Sequence, residues 1–217
     1  TQRRSRQKNQ VFTVALVGYT NAGKSTLLNA LVEYTGQSDD KKVSMKDRLF
    51  ETLQTSSRSI VLKGNPMVIT DTVGFVSHLP HGLVKAFRST LEEVKDADLL
   101  IHVVDSSSVS AGIQSEITLG TLKEIGADDK PMITVYNKSD IAVSAVPSKA
   151  LAISALNGTH LDALVEQILV KMNELQPVYT YLIPYESAAL LEKLKKESQV
   201  ISLLNTDDGF LVGVRAH

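Results

Sequence analysis

The chain has 217 residues, 43% hydrophobic and 22% charged, with a formal net charge of −1. That describes an ordinary soluble globular protein, long enough for one large domain and a small appendix. The absence of cysteine excludes disulfides and thiolate metal centres and fits a reducing compartment, with the cytoplasm as default. No stretch approaches the roughly 20 apolar residues of a membrane span, and there is no signal-peptide pattern. Because residue 1 is Thr rather than Met, the chain is expected to be a piece of a longer protein.

Arg3, Arg4, Arg6 and Lys8 fall in the first ten residues, leaving 19 basic against 24 acidic side chains beyond them. Residues 1–10 therefore read as a basic linker, whose cations could touch RNA phosphates or simply be solvated. Val11 to Val17 is an almost wholly apolar run, as in a strand covered on both faces. It leads into Gly18-Tyr19-Thr20-Asn21-Ala22-Gly23-Lys24-Ser25-Thr26, which fits G-x-x-x-x-G-K-[ST], and then into a helix-like stretch from Lys24 to Tyr34. Gly18 and Gly23 would let backbone approach an anion closely. The amides of Asn21 to Ser25 would form a phosphate nest at the positive end of the helix dipole. Lys24 would reach the outer phosphates and Ser25 would ligate magnesium.

The helix carries Leu27, Leu28, Leu31 and Val32 at helical spacing, with Gly36 placed to end it. From Gln37 to Ser57 the pattern is polar apart from Leu49, Phe50 and Leu53. A loop of that length after a phosphate loop predicts a switch ordered by a magnesium–nucleotide complex. Arg58–Lys63 and Met67–Thr70 read as a hairpin turning at Gly64-Asn65-Pro66, and the second run ends in Asp71-Thr72-Val73-Gly74. Asp71 stands where a magnesium-supporting carboxylate is needed, acting through water, and Gly74 would bring its amide to the terminal phosphate.

Pro80 to Asp96 predicts a helix, Leu99 to Val104 a buried strand closed by Asp105, and Ile113 to Ile125 a helix ended by Gly126. Met132 to Tyr136 predicts a strand running into Asn137-Lys138-Ser139-Asp140. An Asn amide both donates and accepts, so Asn137 could bond the carbonyl and N7 edge of guanine. A carboxylate only accepts, and guanine offers Asp140 two adjacent donors that adenine lacks. The Lys138 stem can lie along the base. Ala150 to Ile153 is a short strand, and the small residues Ser154 and Ala155 permit an amide to reach the base carbonyl, a plain turn being the simpler alternative. Thr159 is placed to cap a last helix bearing Leu161, Leu164, Val165, Ile168, Leu169 and Met172. After Gln176-Pro177 come strand (Val178–Ile183), helix (Glu186–Glu197), strand (Val200–Leu204), turn (Asp207–Gly209) and strand (Phe210–Arg215).

The fold expected is α/β: a three-layer P-loop GTPase domain over residues 11–175, with a six-stranded, mostly parallel sheet containing one antiparallel strand, and a small α+β unit over 177–217. Gly18–Thr26, Asp47–Leu53, Asp71–Phe75 and LPHGLVKAFRSTLEE (Leu79–Glu93) resemble HflX, a ribosome-associated GTPase. The resemblance implies GTP/GDP binding with Mg2+, contacts from Gly18 to Thr26, Phe50 and Gly74, and magnesium ligation by Ser25 and Thr52 with Asp71 behind a water. It also implies guanine recognition by Asn137, Lys138 and Asp140 and a base contact from Ser154-Ala155. HflX usually reads Asp-Pro-Thr-Thr-Arg where this chain has Gln54-Thr55-Ser56-Ser57-Arg58, which offers Thr55 or Ser56 as alternative hydroxyls. The family's work on the large ribosomal subunit implies that partner for the full-length protein, through N-terminal domains preceding this segment.

Ras-like enzymes orient water with a glutamine after the Asp-x-x-Gly; here Phe75 stands there, as in HflX. Slow hydrolysis is expected, with Lys24 and the Gly74 amide as the catalytic groups. The alternative is a nucleotide-dependent binding switch with little useful turnover. An ATP-dependent kinase would share the glycine loop but would not need Asn137 and Asp140. His78 and His81 read as exposed loop residues before water-positioning ones, His102 as a hydrogen-bonded core histidine, Arg88 as a surface cation, and Tyr19 as either a cover for the nucleotide or solvent-facing.

Overall fold

A computed structural model of the chain describes residues 11–36, 56–72, 74 and 93–215. Its elements are β1 (Phe12–Val17), α1 (Lys24–Tyr34), β2 (Ser56–Leu62), β3 (Asn65–Asp71), β4 (Leu99–Asp105), α2 (Ala111–Glu124), β5 (Met132–Asn137), β6 (Leu151–Ala152), α3 (Leu161–Leu175), β7 (Val178–Ile183), α4 (Ala188–Glu197), β8 (Gln199–Thr206) and β9 (Gly209–Arg215). Residues 93–96 are helical; the rest of the helix expected from Pro80 lies outside the described residues, as does most of the polar switch.

Two compact units divide the chain, with the boundary at Ile168/Leu169 inside α3. The first holds a six-stranded sheet in the order β2-β3-β1-β4-β5-β6. All neighbouring pairs are parallel except β2–β3, the arrangement expected of the doubly covered α/β sheet. β1 and β4 are buried along nearly their whole length, because helices cover both faces of a parallel sheet. On one face Ala15, Val17 and Leu100 pack with Val94, Ala97, Leu122 and Ala127. α1 lies along β2 and β3 and buries Leu27, Leu28 and Leu31, each contributing about 2 kcal/mol by removal from water.

The hairpin turns one residue earlier than the Gly64-Asn65-Pro66 signal implies. Lys63 and Gly64 take positive φ (46° and 83°), as a two-residue primed turn requires, so Asn65 and Pro66 already belong to β3, paired with Leu62 and Val61. Thr159 does not cap α3: its backbone exchanges hydrogen bonds with Ser154. His160, at φ 56°, stands before the helix instead.

The second unit carries a three-stranded antiparallel sheet, β7-β9-β8, with Ile183, Leu191, Val212 and Val214 as its core. Arg215, 2% exposed, donates to Asn173 Oδ1 and to the Gln176 carbonyl at the end of α3, 2.9 Å each. No helix among the described residues is long and apolar enough to cross a membrane.

Candidate functional site

Parallel strands collect their C-terminal ends on one edge of a sheet, and ligands of open α/β sheets bind there. In this chain the edge gathers the glycine loop after β1, Asp71 ending β3, Asp105 ending β4 and Asn137 ending β5. Residues separated by more than a hundred positions are thereby brought into contact.

Gly18 leaves β1 so close to β4 that a Cβ would sit 2.3 Å from the Val103 carbonyl oxygen. Asn21 (φ 60°) and Gly23 (φ 93°) are both left-handed, so the loop curls tightly before α1. The first intrahelical bond runs from the Leu27 amide to the Gly23 carbonyl, which leaves the amides of Lys24, Ser25 and Thr26 without helical acceptors. No acidic side chain occupies the first turn of α1, so the positive helix end is not neutralised from within.

Lys24 is only 6% exposed, and its ammonium donates to the carbonyls of Gly18 (3.2 Å) and Tyr19 (3.0 Å). Burial pushes its pKa down from 10.5 to about 8, with the Asp71 charge pulling the other way. A buried cation held only by neutral carbonyls is suited to an incoming anion. Asp71 is also buried. Its Oδ2 accepts a hydrogen bond from the Ser25 hydroxyl, while Oδ1 has no partner among the described residues. Burial raises the Asp71 pKa; the Ser25 hydroxyl and Lys24 oppose this. An orphaned carboxylate oxygen beside a serine hydroxyl fits a hard divalent cation. Mg2+ commonly takes one or two protein oxygens and fills the remaining positions with water and phosphate. Among the described residues no cluster of three His, Asp or Glu forms a closed metal cage.

Gly74 abuts the loop: a Cβ there would meet Thr20 Cα at 2.7 Å and Thr20 N at 3.0 Å. Thr72, 2% exposed, anchors this segment by donating to the Leu16 carbonyl at 2.6 Å. Ser56, offered above as an alternative hydroxyl, pairs across β2–β3 with Asp71. Phe50, Thr52, Thr55, Phe75, His78, His81 and Arg88 lie outside the described residues.

The base-side tetrad departs from its sequence reading in one respect. Asn137, 2% exposed, donates from Nδ2 to the Ala22 carbonyl (2.9 Å) and accepts at Oδ1 from the Ala155 amide (3.0 Å). It therefore bridges the glycine loop and the Ser154–Ala155 loop, and the Ala155 amide expected at the base carbonyl is bonded to Asn137. Ser154 is fully buried, with its hydroxyl accepting from the Asn157 amide. Asp140 differs from both: it is exposed in a short 3-10 turn (Ser139–Ile141), and its carboxylate has no hydrogen bond or ion pair among the described residues. Lys138 is left-handed (φ 63°), and its ammonium pairs with Asp105 at 2.7 Å. Sequence reading noted Asp105 only as the end of a strand. His102 is the core histidine expected, 1% exposed on β4, but its Nδ1 lacks the expected hydrogen bond among the described residues.

Residues 13–138 match the family model described as "50S ribosome-binding GTPase". The chain belongs to that GTPase family. Within it the HflX resemblance holds. The chain is 46% identical to GTPase HflX of Caldanaerobacter subterraneus subsp. tengcongensis, over 92% of this chain and 46% of the relative. It is 38% identical to GTPase HflX of Lacrimispora saccharolytica, over 97% and 50%. The chain thus spans about half the length of the HflX relatives it matches. Among solved structures it resembles a GTP-binding protein from Sulfolobus solfataricus in complex with GDP: TM-score 0.57, 28% identity, 80% of this chain and 56% of that one. The six-stranded GTPase fold expected from the motifs is the fold found.

Proposed function

We propose that this chain binds GTP and GDP with Mg2+ and hydrolyses GTP slowly, as the nucleotide-binding part of an HflX-type GTPase working on the large ribosomal subunit. The observation that carries this reading is the convergence of three unmatched features on one sheet edge. These are a buried Lys24 held by carbonyls alone, an orphaned Asp71 oxygen beside Ser25, and a free Asp140 carboxylate beyond Asn137.

In this reading the amides from Asn21 to Thr26 hold the phosphates. Lys24 exchanges its carbonyl partners for phosphate oxygens, and the Gly74 amide meets the terminal one. Ser25 would contribute its hydroxyl to Mg2+, with Asp71 acting through water and Thr52 as the switch ligand. Held there, Mg2+ would supply positive charge against the phosphates. Asp140 accepts from the two guanine donors and Lys138 lies along the base. Asn137 acts chiefly by holding the two loops, with its remaining N–H available to the purine. A phenyl group at position 75 cannot hold a water by hydrogen bonds, so turnover by the chain alone is expected at roughly 10⁻⁴ to 10⁻² s⁻¹.

Phosphate release should be measured with this chain, and with the full-length protein in the presence and absence of large ribosomal subunits. Slow release alone and acceleration by subunits in the full-length protein support an enzyme. Tight GTP binding without acceleration by subunits supports a switch with little turnover. ATP binding as tight as GTP binding would refute both.

A further inference from the structure

We propose that Asp105 is the positioning residue of the base-binding loop, holding Lys138 where its stem can flank the purine. The inference rests on the guanine-site reading above and adds to it the group that sets the geometry of Lys138.

Both oxygens of the Asp105 carboxylate are engaged. Oδ2 takes the Lys138 ammonium at 2.7 Å; Oδ1 takes the Ser107 amide at 2.9 Å and the Ser107 hydroxyl at 2.5 Å. Ser107 thus fixes the carboxylate from the side opposite the lysine, leaving it one orientation. The pair is also sheltered, the Asp105 side chain being 14% exposed and that of Lys138 31%. By contrast, the side chains of the Lys171–Glu174 and Lys195–Glu192 pairs are 40–65% exposed. Pairs as open as these contribute little, because water and salt screen them. A short, charge-assisted bond to a pre-oriented carboxylate belongs to the stronger class.

Lys138 needs such a hold. A non-glycine residue at φ 63° is in a conformation that persists only where its surroundings impose it. The Ile153 carbonyl, which takes the Ser139 amide at 3.0 Å, and the segment after Asp105 supply the rest of that frame. Ser106 donates to the Asn137 carbonyl from its amide (3.0 Å) and its hydroxyl (2.6 Å), and the Ser106 carbonyl accepts from the amides of Val143 and Ser144. The Ser144 hydroxyl donates to the Ser108 carbonyl. The base loop is therefore gripped at residues 137, 139 and 143–144 through backbone, while the Lys138 ammonium is held by one side chain. Asp105 and Asn137 stand opposite each other in the β4–β5 register, so the anchor belongs to a rigid strand end.

The test uses the 217-residue chain and a fluorescent GDP analogue, with dissociation rates read by stopped flow for wild type, Asp105→Asn, Lys138→Met and the double variant. Asparagine keeps the shape and the Ser107 contacts but removes the charge. We expect Asp105→Asn to speed release about 5- to 10-fold, the range for a sheltered charge-assisted pair. In the Lys138→Met background the same change should have no further effect. Ser107→Ala should shift release in the same direction by a smaller factor, also only when Lys138 is present, and it carries the test should Asp105→Asn fail to fold.

Release unchanged in Asp105→Asn, or accelerated equally in both backgrounds, would overturn the proposal, the latter by showing that Asp105 only supports the fold. If Lys138→Met and Asp140→Asn both leave release unchanged, the guanine-site reading falls and takes this one with it. Release that depends on Lys138 but ignores Asp105 and Ser107 sinks the Asp105 assignment alone.

Discussion

A β-carbon built on Gly23 would lie 2.3 Å from Nδ2 of Asn137. The second glycine of the Gly18–Thr26 loop is thus required on two counts, its φ of 93° and the side chain that closes against it. Asn137 reaches across 115 positions of sequence to bond the neighbouring Ala22 carbonyl, joining the glycine loop to the end of β5 in a single contact.

Gly23→Ala is therefore expected to cost about 2–4 kcal/mol, from a left-handed alanine and a displaced amide. Urea unfolding of the nucleotide-free chain measures this. A loss under about 0.5 kcal/mol, the ordinary range for surface changes, would mean the two loops are not in contact.

Asn137→Ala leaves the Ala22 carbonyl and the Ala155 amide unpaired in a buried site. The expected loss is about 2–6 kcal/mol, since each of the two stranded groups costs about 1–3. Because the bridge is made entirely between protein groups, the loss should appear in the stability of the nucleotide-free chain as well as in GDP affinity. An effect confined to affinity would restore the view of Asn137 as a base reader alone.

How much of this was legible beforehand follows from the range of each interaction. The glycine loop, the α1 boundaries and the strand-ending Asp71 and Asn137 were readable because local letters and periodicity determine them. The same letters could not say where the Asn137 amide points, since its partners at 22 and 155 become neighbours only through sheet order. The Asp105–Lys138 pair was hidden for the same reason, although an acid followed by serines at the end of an apolar strand was visible. The turn at Lys63-Gly64 was misplaced because Pro66 reads as a turn residue. In the fold it pairs with Val61 of β2 near the start of β3, one residue before the pairing with β1 begins at Met67, where its missing N–H is tolerated.

His102 gives a pH-dependent prediction. Burial lowers its pKa from the ordinary 6.5 to about 4, so between these values the unfolded chain binds the proton and the folded chain does not. The stability it contributes is complete above pH 6.5 and is lost as pH falls towards 4, about 3 kcal/mol in all. His102→Leu should flatten the acid limb of the stability–pH curve by that amount. It should also gain about 1 kcal/mol at pH 7 by removing the orphaned Nδ1. Superimposable acid limbs for the two proteins would contradict this placement of His102.

In the second unit, Arg215→Ala removes the donors to Asn173 and Gln176 together with a buried stem. Desolvation lowers the Arg215 pKa, so part of the charge's cost is recovered, and the net loss is expected at about 1–3 kcal/mol. Hydrogen exchange should rise in β7, β8 and β9. Unchanged protection there would mean that Arg215 does not hold the unit together.

The central claim is that Asp140 selects guanine while the loop from Gly18 to Thr26 holds phosphate. Competition between GDP, ADP and xanthosine diphosphate, on wild type and Asp140→Asn, tests it most directly. Wild type should favour GDP over ADP by more than about 100-fold, as a site built to satisfy paired donors does, and the variant should shift towards xanthosine diphosphate. Equal binding of ADP and GDP by wild type, or a variant with unaltered preference, would contradict it.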